Sequence, residues 1–159
     1  MKVMTMVGGL MLFILSSSTG AAPPAKPVSL QCFPLQASQL SEGLVTDPAV
    51  GSEHGLVSLE GPGCFLSARV VKQGGDSDIT FVKLALDGRT VVNRSVAALR
   101  NWGTTEDNSY GVMVFTNGST NTVTIGFGHP LLYERSLELG ISVDENGISQ
   151  VIGTVIHGQ

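Results

Sequence analysis

From Gly55 onward the hydrophobic pattern of this chain repeats every second residue, and turn-forming residues interrupt it about every ten positions. A period of two sends alternate side chains to opposite faces of an extended strand, whereas a helix would repeat at about 3.6. The clearest run is Ser136 to Val143, where Leu137, Leu139, Ile141 and Val143 share one face and Ser136, Glu138, Gly140 and Ser142 the other. Phe65 to Lys72 sets Leu66, Ala68 and Val70 against Ser67 and Arg69. Ile79 to Leu86 and Arg89 to Arg94 flank Asp87-Gly88. An Asp-Gly pair between two β-rich runs marks a type I′ hairpin, whose central residues both need positive φ. Tyr110 to Thr116 and Thr122 to Phe127 read as a second hairpin around residues 117–121. Ile148 to Ile156 is apolar at both parities, as a strand covered on both faces would be.

A helical period surfaces only weakly, at Val96 to Arg100. The expected fold is therefore all-β: an antiparallel β-sandwich of about seven to eight strands, with a small closed β-barrel as the alternative. An outer-membrane barrel fits poorly, because its strands run to about 9–11 residues and carry aromatic girdles. This chain has only nine aromatic residues, six Phe, two Tyr and one Trp.

The first residues are of another kind. Lys2 is followed by an uncharged, largely apolar run from Val3 to Leu15 and then by the small residues Ser16 to Ala22. That order is a secretory signal with cleavage after Ala21, and the run falls short of the roughly 20 residues of a membrane span. Residues 22–31 form a proline-rich spacer, and 32–159 a single β domain. Within it, residues 32–55 lack clear periodicity and hold at most one helical turn, at Ala37 to Leu44. They are expected to cover the domain as an irregular segment clipped on by a disulfide. No later stretch is apolar enough for a transmembrane helix.

An exported chain with two cysteines has one available pairing, Cys32 with Cys64. The closed loop of about 30 residues is worth roughly 3–4 kcal/mol by chain entropy. Without Lys2 the chain carries 8 Lys and Arg against 13 Asp and Glu. Its scattered, mildly acidic charge offers no footprint for nucleic acid.

Catalytic motifs are few. Ser52, Glu53 and His54 bring together hydroxyl, carboxylate and imidazole, but neighbours in sequence do not make a triad, and the Gly-x-Ser-x-Gly spacing is missing. His54, His129 and His157 stand in no zinc-binding spacing. The acidic turns at Asp76 and Asp78, at Glu106-Asp107-Asn108 and at Asp144-Glu145-Asn146 read as solvated turn chemistry, with calcium as the less favoured use, so no metal or other cofactor is expected. Asn93 and Asn117 begin Asn-x-Ser acceptor sequences for glycosylation.

The long connection from Ser95 to Ser109 is the most suggestive segment, since loops of about 15 residues are commonly functional or locally structured. It holds Arg100, Asn101 and Trp102, the only tryptophan, and Tyr110 follows it. An aromatic beside an amide and a guanidinium suits a ligand-binding surface; a plainer role for Trp102 and Leu99 is a lid on the core. These features point to an exported, non-enzymatic module that binds a protein or glycan partner or serves structurally. A small exported hydrolase is the alternative.

Overall fold

A computed structural model describes Cys32 and residues 37–158. The expected signal and the spacer lie outside the described residues. Among these, ten strands and one short helix occur: β1 Ser38–Thr46, β2 Ser52–Glu60, β3 Gly63–Gly74, β4 Phe81–Leu86, β5 Arg89–Ser95, α1 Val96–Asn101, β6 Val112–Asn117, β7 Thr120–Ile125, β8 Leu131–Tyr133, β9 Ser136–Val143 and β10 Ile148–Gly158. Two antiparallel sheets pack face to face without closing into a barrel. One has the order β1-β10-β3-β7-β6 with β8 also on β3; the other is β2-β9-β4-β5.

The alternation read in β9 is the alternation that is buried. Leu137, Leu139 and Val143 are fully enclosed, and Ile141 nearly so. They meet Val70, Val123, Val151 and Val155 from the other sheet in one continuous core. Asp87 and Gly88 both take positive φ, 53° and 75°, as the hairpin between β4 and β5 requires. The Asp87 carboxylate then accepts the N–H groups of Glu134, Arg135 and Ser136, tying this hairpin to the start of β9. Those bonds, from Glu134 and Arg135 foremost, hold its pKa below the usual carboxylate value. Cys32 and Cys64 are joined by a disulfide.

Two expectations need correction. The segment 32–55 is not an irregular cover with a helical turn at 37–44: Ser38–Thr46 forms β1 and Ser52 opens β2, and with β8 these raise the count from seven or eight strands to ten. Their pattern misled for a physical reason. The positions of β1 that face the other sheet are Ser41, Gly43 and Val45, while Leu40 and Leu44 point outward and are exposed. Gly43 lies opposite Gly153 of β10, and both leave space for Leu56, the extra residue of a bulge in β2. A Cβ on Gly153 would come within 2.6 Å of the Leu56 side chain. The second correction concerns β10. Val151 and Val155 are buried, but on the opposite face Ile156 is exposed and Ile152 half-buried with only Thr154 enclosed, so that face is covered in part rather than throughout.

Candidate functional site

The two sheets meet differently along their two sides. At one side β1 lies over β2; at the other, β5 and β6 are bridged by α1 and the chain that follows it. The bridge is locally ordered. Ser95 caps the helix by accepting from Ala98 N–H at 3.2 Å, and the N–H groups of Val96 and Ala97 are taken up by the carbonyls of Thr80 and Asp78. Past the helix, the buried Thr104 hydroxyl donates to Leu99 O at 2.8 Å while Thr104 O accepts from Val114 N–H. Asn108 donates to Val112 O and accepts from Tyr110 N–H. Gly111, at φ 72°, lets the chain pass against Gly126 and Phe127 where a Cβ would collide.

This bridge leaves a cleft of about 690 Å³ between the sheets. Its floor is apolar: Val92, Leu99 and Val112 are core residues, and Phe127 stacks at a tilt on buried Phe65, centroids 6.1 Å apart. Its rim carries Trp102, 55% exposed, and Tyr110, 65% exposed. The Arg94 guanidinium from β5 lies 4.9 Å from the centroid of the Trp102 ring, a cation–π contact. Leu99 thus folds inward as the lid reading has it, while Trp102 faces solvent at the mouth.

The four residues singled out from the sequence part company here. Trp102 and Tyr110 come together at the cleft. Asn101 is exposed but does not line it. Arg100 turns to the opposite side of α1, where Asp78 Oδ2 at 2.5 Å, Thr116 and Asn121 engage it. Arg94 and the cleft floor were missed. Asn93 and Asn117 are both exposed, and Asn93 also lines the cleft.

Arg100 belongs to a buried polar cluster that sequence reasoning missed as a unit. Lys72, 1% exposed, donates to Glu145 Oε1 and Asp78 Oδ1, each at 2.7 Å. Glu145 also accepts from the backbone of Ser77, Asp78 and Thr80 and from the Thr80 hydroxyl. Burial works to raise the Glu145 pKa, but the bonds from Lys72, Thr80, Ser77 and Asp78 outweigh it and hold the carboxyl at about 2. Asn121, opposite Lys72 on β7, donates to Asp78 Oδ1 at 2.6 Å. Gly75, at φ 98°, leaves no room for a side chain beside the pair. In these turns Asp76, Asp144 and Asn146 are exposed as expected, but Glu145 is buried and Asp78 half-buried, and both are paired with a lysine from within the sheet. The available signal was Lys72 itself, which shares the inward parity of Ala68 and Val70. No group of three or more His, Cys, Asp or Glu spaced to hold a metal occurs among the described residues.

Two serine–histidine contacts bear on the hydrolase alternative. The Ser52 hydroxyl lies against Ala49 O, which can only accept, and against His54 Nε2 at 2.6 Å, so the carbonyl competes with the imidazole for its single proton. Ser41 and His157 Nε2 are 3.0 Å apart across β1 and β10, but His157 Nδ1 is buried with no partner among the described residues. Among the described residues no third group orients that ring as a triad would need. The two pairs lie on different sheets and do not converge on one site.

No protein-family model matches this chain, and no curated protein shows significant similarity to it.

Proposed function

We propose that the protein is an exported, non-enzymatic module that binds a polypeptide partner in the cleft between β5 and β6. The observation that carries this reading is an exposed tryptophan, braced by Arg94, at the mouth of a cleft with an apolar floor. Large exposed aromatics are what interfaces concentrate, and a floor of Val92, Leu99, Val112 and Phe127 suits a bulky apolar side chain. Among the described residues Arg94 is the only charged one lining the cleft, so the matching segment carries a carboxylate next to its apolar anchor. A sugar is the poorer occupant. Arg94 already occupies one face of the Trp102 ring, and the floor presents little to satisfy hydroxyl groups. Export is read from Lys2, the apolar run and the small residues after it.

The test uses the disulfide-bonded protein against a displayed library of random peptides, with a glycan array in parallel. Selected peptides should carry a large apolar residue beside Asp or Glu, and Trp102→Ala should weaken them at least about tenfold, as expected for an interface hot spot. Selection of glycans alone, or of peptides indifferent to Trp102→Ala, overturns the reading.

A further inference from the structure

We infer that β1 pairs edge to edge with the β1 of a second copy of this chain, antiparallel about a two-fold axis at Glu42, merging two six-stranded sheets into one. This surface lies at the other side of the sandwich and does not depend on the cleft.

Besides the three-residue β8, which pairs with β3 alone, the described sandwich has four edge strands, β1 and β6 in one sheet and β2 and β5 in the other. An unprotected edge is a template for pairing, and folds blunt edges with bulges, charges or covering loops. Three are blunted here. β2 is broken by the bulge at Leu56. β5 is broken at Val91 and carries Arg89 and Arg94. β6 is covered where Thr104 O takes Val114 N–H and Asn108 takes Val112 O. Among the described residues β1 has no bulge and no covering loop, and its single charge is Glu42 at mid-strand. Its nine residues run in unbroken register along β10, without Pro, Lys or Arg.

Its side-chain pattern is also the reverse of what solvent favours. The outward positions hold Leu40, 64% exposed, and Leu44, 55% exposed. Their cross-strand partners on β10 are Ile156 and Ile152, so the apolar surface continues inward from the edge.

The strand is self-complementary in one register. With Glu42 on the axis, Leu40 faces Leu44 of the second copy, and Ser38 faces Thr46. Each outer row then runs Ile156, Leu40, and on the second copy Leu44, Ile152, an unbroken apolar band. The middle row runs Arg69, Thr154, Glu42 and then the same residues in reverse, since Thr154 stands between Arg69 and Glu42 in the existing register. The two carboxylates at the axis repel, and the two guanidinium groups flank them.

Sedimentation equilibrium of the disulfide-bonded protein, from micromolar to near-millimolar concentration, should show a reversible dimer. Leu44→Lys should return it to monomer with an unchanged melting temperature, because Leu44 is exposed. Glu42→Gln should tighten the dimer by up to about fivefold, by relieving a like-charge cross-strand pair. Glu42→Cys should cross-link to itself on oxidation, whereas Ser41→Cys, which faces Gly43 of the second copy, should not. A protein that stays monomeric throughout overturns the inference. So does a dimer that survives Leu44→Lys, or one that cross-links equally well through Ser41→Cys. A dimer lost on Trp102→Ala would place the interface at the cleft and overturn it as well.

Discussion

Replacing Glu145 by Gln keeps the shape of a fully enclosed side chain and removes its charge. The carboxylate has five donors around it: Lys72 at 2.7 Å, Ser77 N–H at 3.1 Å, Asp78 N–H at 2.8 Å, Thr80 N–H at 3.0 Å and the Thr80 hydroxyl at 2.5 Å. Gln offers one acceptor oxygen where two are used, and its NH₂ must face other donors. Two independent routes give the cost. Removing one partner of a buried ion pair typically costs about 3–5 kcal/mol, because the other charge is left buried. A carboxyl held at about 2 rather than 4.5 carries about 3 kcal/mol of linked stability at neutral pH. The routes agree, and they correspond to a fall of about 10–20 °C in melting temperature.

The pH dependence separates this effect from a packing defect. The folded pKa lies below the unfolded one, so the contribution is complete above about 4.5 and is lost as pH falls toward 2. Urea unfolding of both proteins across that range should show their stability gap narrowing below pH 4.5. A gap under about 1 kcal/mol at neutral pH, or one that stays constant into acid, would refute the account of the cluster.

Other positions test the fold directly. Leu139→Ala, at a fully buried position, should cost about 2–5 kcal/mol by urea unfolding, and its exposed neighbour Glu138→Ala within about 0.5 kcal/mol; equal costs would mean the register of β9 is wrong. His157 has its imidazole pKa lowered by burial, so folding favours the neutral ring, and stability should fall as pH drops below 6.5. His157→Gln should flatten that limb, and an unchanged slope would assign it to another group. Trp102→Ala should change stability by less than about 1 kcal/mol, and its emission in the native protein should be red and quenched by iodide; blue, protected emission would return it to the core.

Legibility followed the ordinary rules where a strand has one dry face. β9 could be read because its wet and dry positions differ in chemistry at every step. The hairpin at Asp87-Gly88 could be read because two positive φ angles demand those residues. The segment at Val96 folded as its weak helical period implied, and the chain to Ser109 proved locally built rather than loose. β1 and β2 failed because packing there needs absence: Gly43 and Gly153 make space for Leu56, so the inward face of β1 shows a single hydrophobic residue, Val45. The outward leucines then cancel what alternation remained. The cluster at Glu145 failed for a different reason. Its members come from β3, the following turn, α1, β7 and the turn before β10, and only the sandwich brings them together.

That assembly also explains why a cleft exists at the edge of a small sandwich at all. α1 is too short to hold its place alone, since isolated helices shorter than about 12–15 residues are marginal in water. It is fixed instead from both sides. Leu99 enters the core, and Arg100 on the opposite side is held by Asp78, which Lys72 and Asn121 hold in turn. Trp102 follows at the helix C-cap, its N–H accepted by the carbonyls of Ala98 and Leu99 at 3.1 Å. The rim aromatic is thus positioned by a chain of contacts that ends in the buried lysine, well away from any ligand. On the proposed function, a partner entering the cleft would meet a surface already ordered, which reduces the entropy lost on binding. Arg100→Ala should therefore weaken a peptide selected on the wild-type protein without touching it. The loss should appear as greater mobility of residues 102–110 in hydrogen exchange, and unchanged exchange there with weakened binding would mean that Arg100 contacts the ligand itself.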